Sequence, residues 1–341
     1  MKELRVKLGA ARSHLTTALE SLGLSLPILG LFAALAIIPA FVSDQYVLTL
    51  MISCLLFGAQ AMAFDFTAGF INVVNFGFSG LVGLGAYTSA LLVLKLGVDP
   101  WFGLIGATVA AALAGLIIGL LTLRLSGIFA ALMAWFAGLT LLSVATVLVD
   151  LTRGMLGLNV PLFLDTAARR PYYYILLPIA IGVYIVVRVI ANSDVGLACR
   201  AIGQNLDMAR ASGVQPKKYR VVNFTVSSAI AGLLGGYYAH YLGILTPNVM
   251  ATSHTIEVLV LAYIGGRGSI WGGLVAAFLI IPIFEYLKPL MEIRLVLYGA
   301  FLVVATILYP QGLAGLVEAL RAWIRRPDET GDQEQVNLSL K

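Results

Sequence analysis

The chain has 341 residues, 60% of them hydrophobic and 11% charged, with a mean hydropathy of +0.94. An ordinary soluble domain carries about 25% charged residues, so this composition excludes a soluble enzyme, a disordered chain and a secreted disulfide scaffold. The net charge of +5 reads as basic membrane-side loops rather than as a nucleic-acid surface.

A helix needs about 20 mostly apolar residues to cross a bilayer. Leu24–Val42 is uncharged and ends before Asp44; Val47–Phe64 ends at Asp65; Phe78–Leu94 ends at Lys95. Trp101–Leu123 ends at Arg124, Gly127–Val149 at Asp150, and Tyr172–Ala191 contains only Arg188 as a charge. Val221–Leu245 contains only His240, Thr255–Ile264 is short and is cut by the glycines of GGRGS, and Ile270–Leu287 and Ile293–Pro310 complete the series. Nine of these segments are long enough to span, and the eighth reads as a half-helix. Ten such runs do not fit one soluble core. Their continuous Leu/Ala/Gly composition is not the alternation of a membrane β-barrel. The expected fold is therefore all-α: a polytopic helical membrane protein of about ten hydrophobic segments with Gly-broken half-helices.

Lys and Arg set the expected orientation. They concentrate in the N-terminal tail (Lys2, Arg5, Lys7, Arg12), in the stretch holding Arg200, Arg210, Lys217, Lys218 and Arg220, and in the C-terminal tail (Arg321, Arg325, Arg326). All three should be cytoplasmic, which needs an even number of crossings. The stretch Asp150–Pro171 then lies outside, where Arg169 and Arg170 offend the rule slightly. The expected organisation is a cytoplasmic tail over 1–23, a transmembrane domain over 24–313 and a second cytoplasmic tail over 314–341. The first apolar run is longer than a signal-peptide core and no A-x-A site follows it, so an uncleaved span is expected.

No phosphate-cradling GxxxxGK[ST] is present. There is no HExxH, the three histidines are scattered, and Cys54 and Cys199 form no CxxC pair. Catalytic residues and a metal site are therefore expected to be absent. Any energy coupling must come from an ion gradient or a separate protein.

Three stretches stand out. In Ala63–Tyr87, glycines recur beside Asp65, Asn72, Asn75 and Ser79. Irregular backbone at membrane depth is tolerated only where it is buried in protein or lines a cavity. The stretch reads either as a re-entrant segment on a substrate pathway or as a short loop followed by a small-residue packing face. In Glu257–Gly273, Arg267 sits among Gly265, Gly266, Gly268 and Ser269. A mid-span charge costs about 2.5–3.5 kcal/mol on insertion scales. Arg267 is expected either to face the pathway or a carboxylate such as Asp65 or Glu257, or to snorkel from a turn. Interrupted segments in both halves of a chain point to a transporter's central site. Over Asn192–Arg220, Val195, Ala198, Ile202, Leu206 and Ala209 recur at helical spacing, with Gly213 as a stop and Pro216 beyond it. This predicts a short amphipathic helix. Its weak apolar face suits a groove on a protein partner better than lipid.

On these residues the chain resembles the LivM-type permeases of branched-chain amino acid ABC transporters. GFINVVNFGFSGLVGLGAY (69–87), RLSGIFAALMAW (124–135), GLACRAIGQNLDMARASGV (196–214), YIGGRGSIWGG (263–273) and YPQGL (309–313) are similar to that family's segments. The chain departs from the family at Asp65, at Phe76-Gly77-Phe78, around Arg153–Leu158 and at Gly273. The resemblance implies an importer with a second permease chain, two cytoplasmic ATPases that bind the ATP, and a periplasmic solute-binding protein, in a bacterial inner membrane. No cofactor is expected in this chain. Branched-chain amino acids are the first guess for cargo; urea, aromatic compounds or other small organic acids are alternatives. The substrate pathway would hold Asp65, Asn72, Asn75, Ser79 and Gly265–Ser269. The ATPase would meet Arg200, Gln204, Asn205, Asp207, Met208, Ala209 and Gly213. The competing reading is an ion-coupled secondary transporter or channel, which would usually need intramembrane carboxylates.

Overall fold

The computed structural model describes residues 26–286 apart from 124, 126, 165 and 167, together with isolated positions between 293 and 316. The expected last span, Ile293–Pro310, and both terminal tails lie largely or wholly outside the described residues.

Helix α1 is Leu26–Phe41, α2 Gln45–Ala68, α3 Phe78–Leu96, α4 Pro100–Thr122 and α5 Ile128–Val147. A short turn of helix, α6 (Val149–Thr152), precedes a 3-10 turn and a two-residue strand, β1 (Leu158–Asn159). Then come α7 (Arg169–Asn192), α8 (Asp194–Gln204), α9 (Leu206–Ala211) and α10 (Pro216–Leu242). After β2 (Ile244–Leu245), which pairs antiparallel with β1, follow α11 (Thr252–Gly265) and α12 (Trp271–Tyr286). Among the described residues five helices, α2 to α5 and α7, are long and apolar enough to cross a membrane.

The helix boundaries follow local chemistry. Asp44 and Asp99 cap α2 and α4 by accepting the amides of Tyr46 and Trp101 at 2.8 and 2.9 Å, and Pro100 fills a first-turn position that needs no donor. Arg169 and Arg170 belong to the first turn of α7, not to a loop. The single amphipathic helix expected over Asn192–Arg220 is two. Asn205 breaks it, with its side chain accepting the amides of Asp207 and Met208 at 3.0 and 3.1 Å, and so starts α9 as an N-cap. Gly213 ends α9 in the left-handed region, φ +83°, where glycine carries no Cβ penalty.

Two halves repeat one plan in opposite directions. In each, a long helix (α2, α10) is followed by irregular backbone (69–77, 243–251) and then by another helix (α3, α11). The long helices run antiparallel: Asn223 Nδ2 donates to Phe66 O at 2.7 Å and Ser227 Oγ to Ala63 O at 2.7 Å. The halves also exchange partners, with α10 packed on α4 and α12 on α2. The irregular segments follow opposite ends of this antiparallel pair, and the first turn of α3 meets the end of the second segment and the first turn of α11. There Ser79 Oγ donates to Met250 O at 3.0 Å, and the Ser79 amide donates to Thr255 Oγ1 at 3.0 Å. At 14 residues, α11 is roughly 21 Å long, short of the ~30 Å hydrocarbon thickness. It is the half-helix that the glycines announced.

Burial sorts the helices by role. On α4, Phe102, Ile105, Val109, Leu113, Ile117 and Leu120 form an exposed apolar stripe at helical spacing, the face that lipid would cover. Helix α10 is the longest described, 27 residues, and buries Asn223, Ser227, Ser228 and His240. Surrounded by protein, it can carry polar groups that a lipid-facing helix cannot.

Candidate functional site

A cavity of about 280 Å³ lies between the halves. Helix α2 contributes Thr49, Ser53, Leu56, Phe57 and Gln60, and the first turns of α3 contribute Phe78, Ser79 and Val82. The far end of α10 supplies Tyr238 and Tyr241, α11 supplies His254 and Val258, and Arg169 joins from α7. The cavity is amphipathic. Leu56, Phe57, Val82 and Val258 form its apolar wall, while the side chain of Gln60 makes no hydrogen bond among the described residues. Arg169 lies 5.2 Å from the centre of the Tyr241 ring, a cation–π distance. His254 Nδ1 is 3.7 Å from Glu257 and its ring stacks on Phe57. Helix α11 starts at this space without a side-chain cap, so its amide end supplies partial positive charge, whereas the Ser79 amide in the first turn of α3 is already met by Thr255 Oγ1.

Of the residues singled out in the sequence for a pathway, only Ser79 lines this cavity. The others lie in or beside a knot at the C-terminal end of α2, just beyond Gln60. Asp65, 2% exposed, accepts the amide of Gly268 at 2.8 Å and that of Ile270 at 3.2 Å. Arg267 donates to Ala68 O at 3.1 Å and to Asn72 Oδ1, and its guanidinium lies 5.0 Å from the Tyr263 ring centre. Among the described residues Arg267 thus touches neither the cavity nor, within ion-pair distance, a carboxylate. Asn72 and Ile270 hold left-handed backbone, φ +55° and +62°, which is uncommon for a β-branched residue. The two amides bound by Asp65 hold the Ile270 turn in place. Asn75 Oδ1 accepts the Gly77 amide at 3.1 Å. Ser269 Oγ accepts the Gly272 amide at 3.2 Å. A Cβ on Gly265 would collide with the backbone of Gly272 and Gly273, and Gly266 takes φ +105°.

The connector α8–α9 packs at the same end. Arg200 lies 4.6 Å from the Phe70 ring centre, and Ala198, Ile202 and Ala209 are buried in the chain's own bundle. The apolar face is therefore occupied internally. Gln204, Asn205, Asp207, Met208 and Gly213 are exposed, with Met208 at 69%. Cys199 is buried beneath them, and burial pushes its thiol up to about 11.

The residues missed in the sequence are the cavity wall itself. Gln60, one amide in a long apolar run, was a readable signal; so was Arg169, which broke the charge rule. Thr49, Ser53, Tyr238 and Tyr241 gave none. His240, the polar residue noted in the seventh segment, is fully bonded: Nδ1 to Pro161 O at 2.7 Å and Nε2 to Ser89 Oγ at 2.9 Å. Since a carbonyl only accepts, Nδ1 carries the proton and the ring is a structural strut.

The model of the family described as "Branched-chain amino acid transport system / permease component" matches residues 46–306. The chain belongs to this permease family. It is 25% identical over 281 residues to the high-affinity branched-chain amino acid transport system permease protein LivM of Escherichia coli K12, covering 74% of this chain and 66% of that protein. It thus spans just under two thirds of that relative's length. To LivH of the same organism it is 23% identical over 284 residues, covering 76% and 91%. A probable LivH permease of Methanocaldococcus jannaschii is 25% identical over 281 residues, covering 72% and 84%. No solved structure matches significantly. In this permease the polytopic helical fold and the family assignment agree.

Proposed function

We propose that the chain is a permease subunit of an ATP-driven importer, and that the cavity between its halves is a station for a small amphipathic solute, branched-chain amino acids first. The cavity's composition carries this reading. An amino acid with an aliphatic side chain needs a cation for its carboxylate, polar groups for its ammonium and an apolar wall. Arg169 supplies a charge-assisted donor, the Gln60 and Ser53 oxygens accept, and Leu56, Phe57, Val82 and Val258 form the wall. A volume of about 280 Å³ falls just below the roughly 300–1,000 Å³ of drug-sized ligand pockets, a size for a small metabolite. Its place at the interface of inverted halves is where transporters of several folds hold their cargo.

The remaining parts follow from that reading. A second permease chain completes the path, two ATPases bind the ATP, and a periplasmic binding protein delivers solute. The connector receives the ATPase through its exposed edge at Gln204, Asn205, Asp207, Met208 and Gly213, with Arg200 and Ala209 supporting it from beneath. Both termini and the connector face the cytoplasm of a bacterium, and the permease domain (24–313) sits in its inner membrane. The test is uptake of labelled leucine by proteoliposomes holding the complete complex. ATP-dependent uptake that requires the binding protein is expected. Uptake driven by an ion gradient without ATP would overturn the reading.

A further inference from the structure

A second cavity, about 440 Å³, opens at the connector end between α9, the start of α10 and the end of α4. Its lining includes Leu123, Leu206, Arg210, Val214, Lys217 and Arg220. We propose that it binds the phosphate headgroup of an anionic phospholipid.

The first observation is a buried cation with an unused donor. Arg220 is 7% exposed. Its Nη1 donates to Leu125 O at 3.2 Å, yet Nε has no partner among the described residues. A buried charge is retained at a cost unless something pairs with it. Among the described residues no carboxylate lies within ion-pair distance of Arg220 or Lys217. The third cation, Arg210, meets Asp207 at 3.3 Å, but both side chains are largely exposed, 58% and 90%, so that pair is weak and easily exchanged. Among the described residues, three cations therefore converge on a space whose lining holds no carboxylate, with the exposed Asp207 the one acid in reach of any of them.

The second observation is α10 itself, which begins here after Gln215 with no side-chain cap. Its first amides and its dipole favour an anion. Phosphate suits this set, since guanidinium groups bind its oxygens in pairs.

The apolar surroundings decide for a lipid over a free anion. Leu123 in the cavity continues directly from the exposed stripe of α4, where Leu113, Leu116, Ile117, Leu120 and Leu121 are open. Acyl chains could lie along that stripe while the headgroup sits among the cations, at the level where a span leaves the bilayer. A dissolved phosphate would have no use for the stripe.

The test does not involve transport. The full chain is extracted from vesicles of equal parts phosphatidylcholine and phosphatidylglycerol, and its retained lipids are counted by native mass spectrometry. Wild type should retain phosphatidylglycerol in preference. The double variant Arg210→Gln/Lys217→Gln, exposed positions that leave buried Arg220 in place, should lose about 25-fold in retention, roughly fivefold per cation. Lys218→Gln, the same charge loss outside the cavity lining, should change retention less than about twofold. Equal retention of both lipids, or equal losses in Lys218→Gln and in the double variant, would overturn the proposal. So would full displacement of phosphatidylglycerol by millimolar inorganic phosphate, which would make a free anion the ligand. Unchanged lipid retention in the double variant with loss of ATPase copurification would assign the cavity to protein docking and equally sink the lipid.

Discussion

Gln60 and Asp65 stand about one and a half turns apart on one helix and are used in opposite ways. Asp65 is consumed: two backbone amides from the other half of the chain end on its carboxylate, and beside it the exposed Arg267 is tied by its Nη2 to Ala68 and Asn72. Gln60 is buried at 6% exposure, faces a cavity, and its side chain has no hydrogen-bond partner among the described residues. Both are polar residues inside a helix bundle. Only the second offers bonding capacity to something that is not the protein. An intramembrane polar residue is a site candidate by default; whether its donors and acceptors are already met decides if it remains one.

The largest effect that can break this contrast is at the knot. Asp65→Ala would leave the amides of Gly268 and Ile270 without an acceptor and the left-handed Ile270 turn without its tie. A loss of about 3–5 kcal/mol is expected, read as a lower melting temperature and poor yield in fluorescence-detected size exclusion, with or without solute. A stable Asp65→Ala protein that had lost only transport would move Asp65 from the knot to the path.

The connector sharpens the same distinction. Ala209→Glu would force a charge into the chain's own packing and should lower both stability and ATPase copurification. Met208→Glu, on the exposed side, should lower copurification alone. Equal stability losses in the two variants, measured by melting, would contradict the assignment of faces.

A smaller effect is expected at Arg267. Arg267→Gln loses charge-assisted bonds to Ala68 and Asn72, worth about 1–2 kcal/mol, and should leave KM for the transported solute unchanged. A changed solute preference with an unchanged melting temperature would return Arg267 to the path.

The smallest effect is none. Gln215→Cys should leave transport intact and react with thiol reagents from the cytoplasmic side only. Cys199 would not compete: it is fully buried, and a thiol raised to about 11 by burial stays protonated and unreactive near neutral pH. Labelling from the periplasmic side would reverse the orientation.

Much of this was legible in the sequence. Continuous apolar runs placed the spans, glycines placed the broken segments, and Gly213 and Pro216 bracketed the end of the connector. Asn205 was a readable N-cap, passed over because the apolar period runs through it unbroken. The knot was not legible as a knot: Asp65 and Gly268 are distant in the chain, and no periodicity joins a carboxylate to two amides whose availability depends on a left-handed turn. Nor was the cavity wall, since a Thr, a Ser or a Tyr in a span reads the same whether it bonds its own helix or faces a space. Helix α10 shows the limit of hydropathy: it packs inside the bundle and buries Asn223, Ser227, Ser228 and His240, which depress its apolar signal.

The central claim is that the cavity around Gln60, and not the knot around Arg267, handles the solute. It is tested most directly by measuring transport and melting temperature together for Gln60→Leu in the reconstituted complex. Removing a hydrogen-bonding group that solute would use should cost about tenfold in kcat/KM, while an apolar side chain in a buried position leaves the melting temperature unchanged or raised. A Gln60→Leu protein with normal transport, or one whose loss of transport simply followed a loss of stability, would contradict the account.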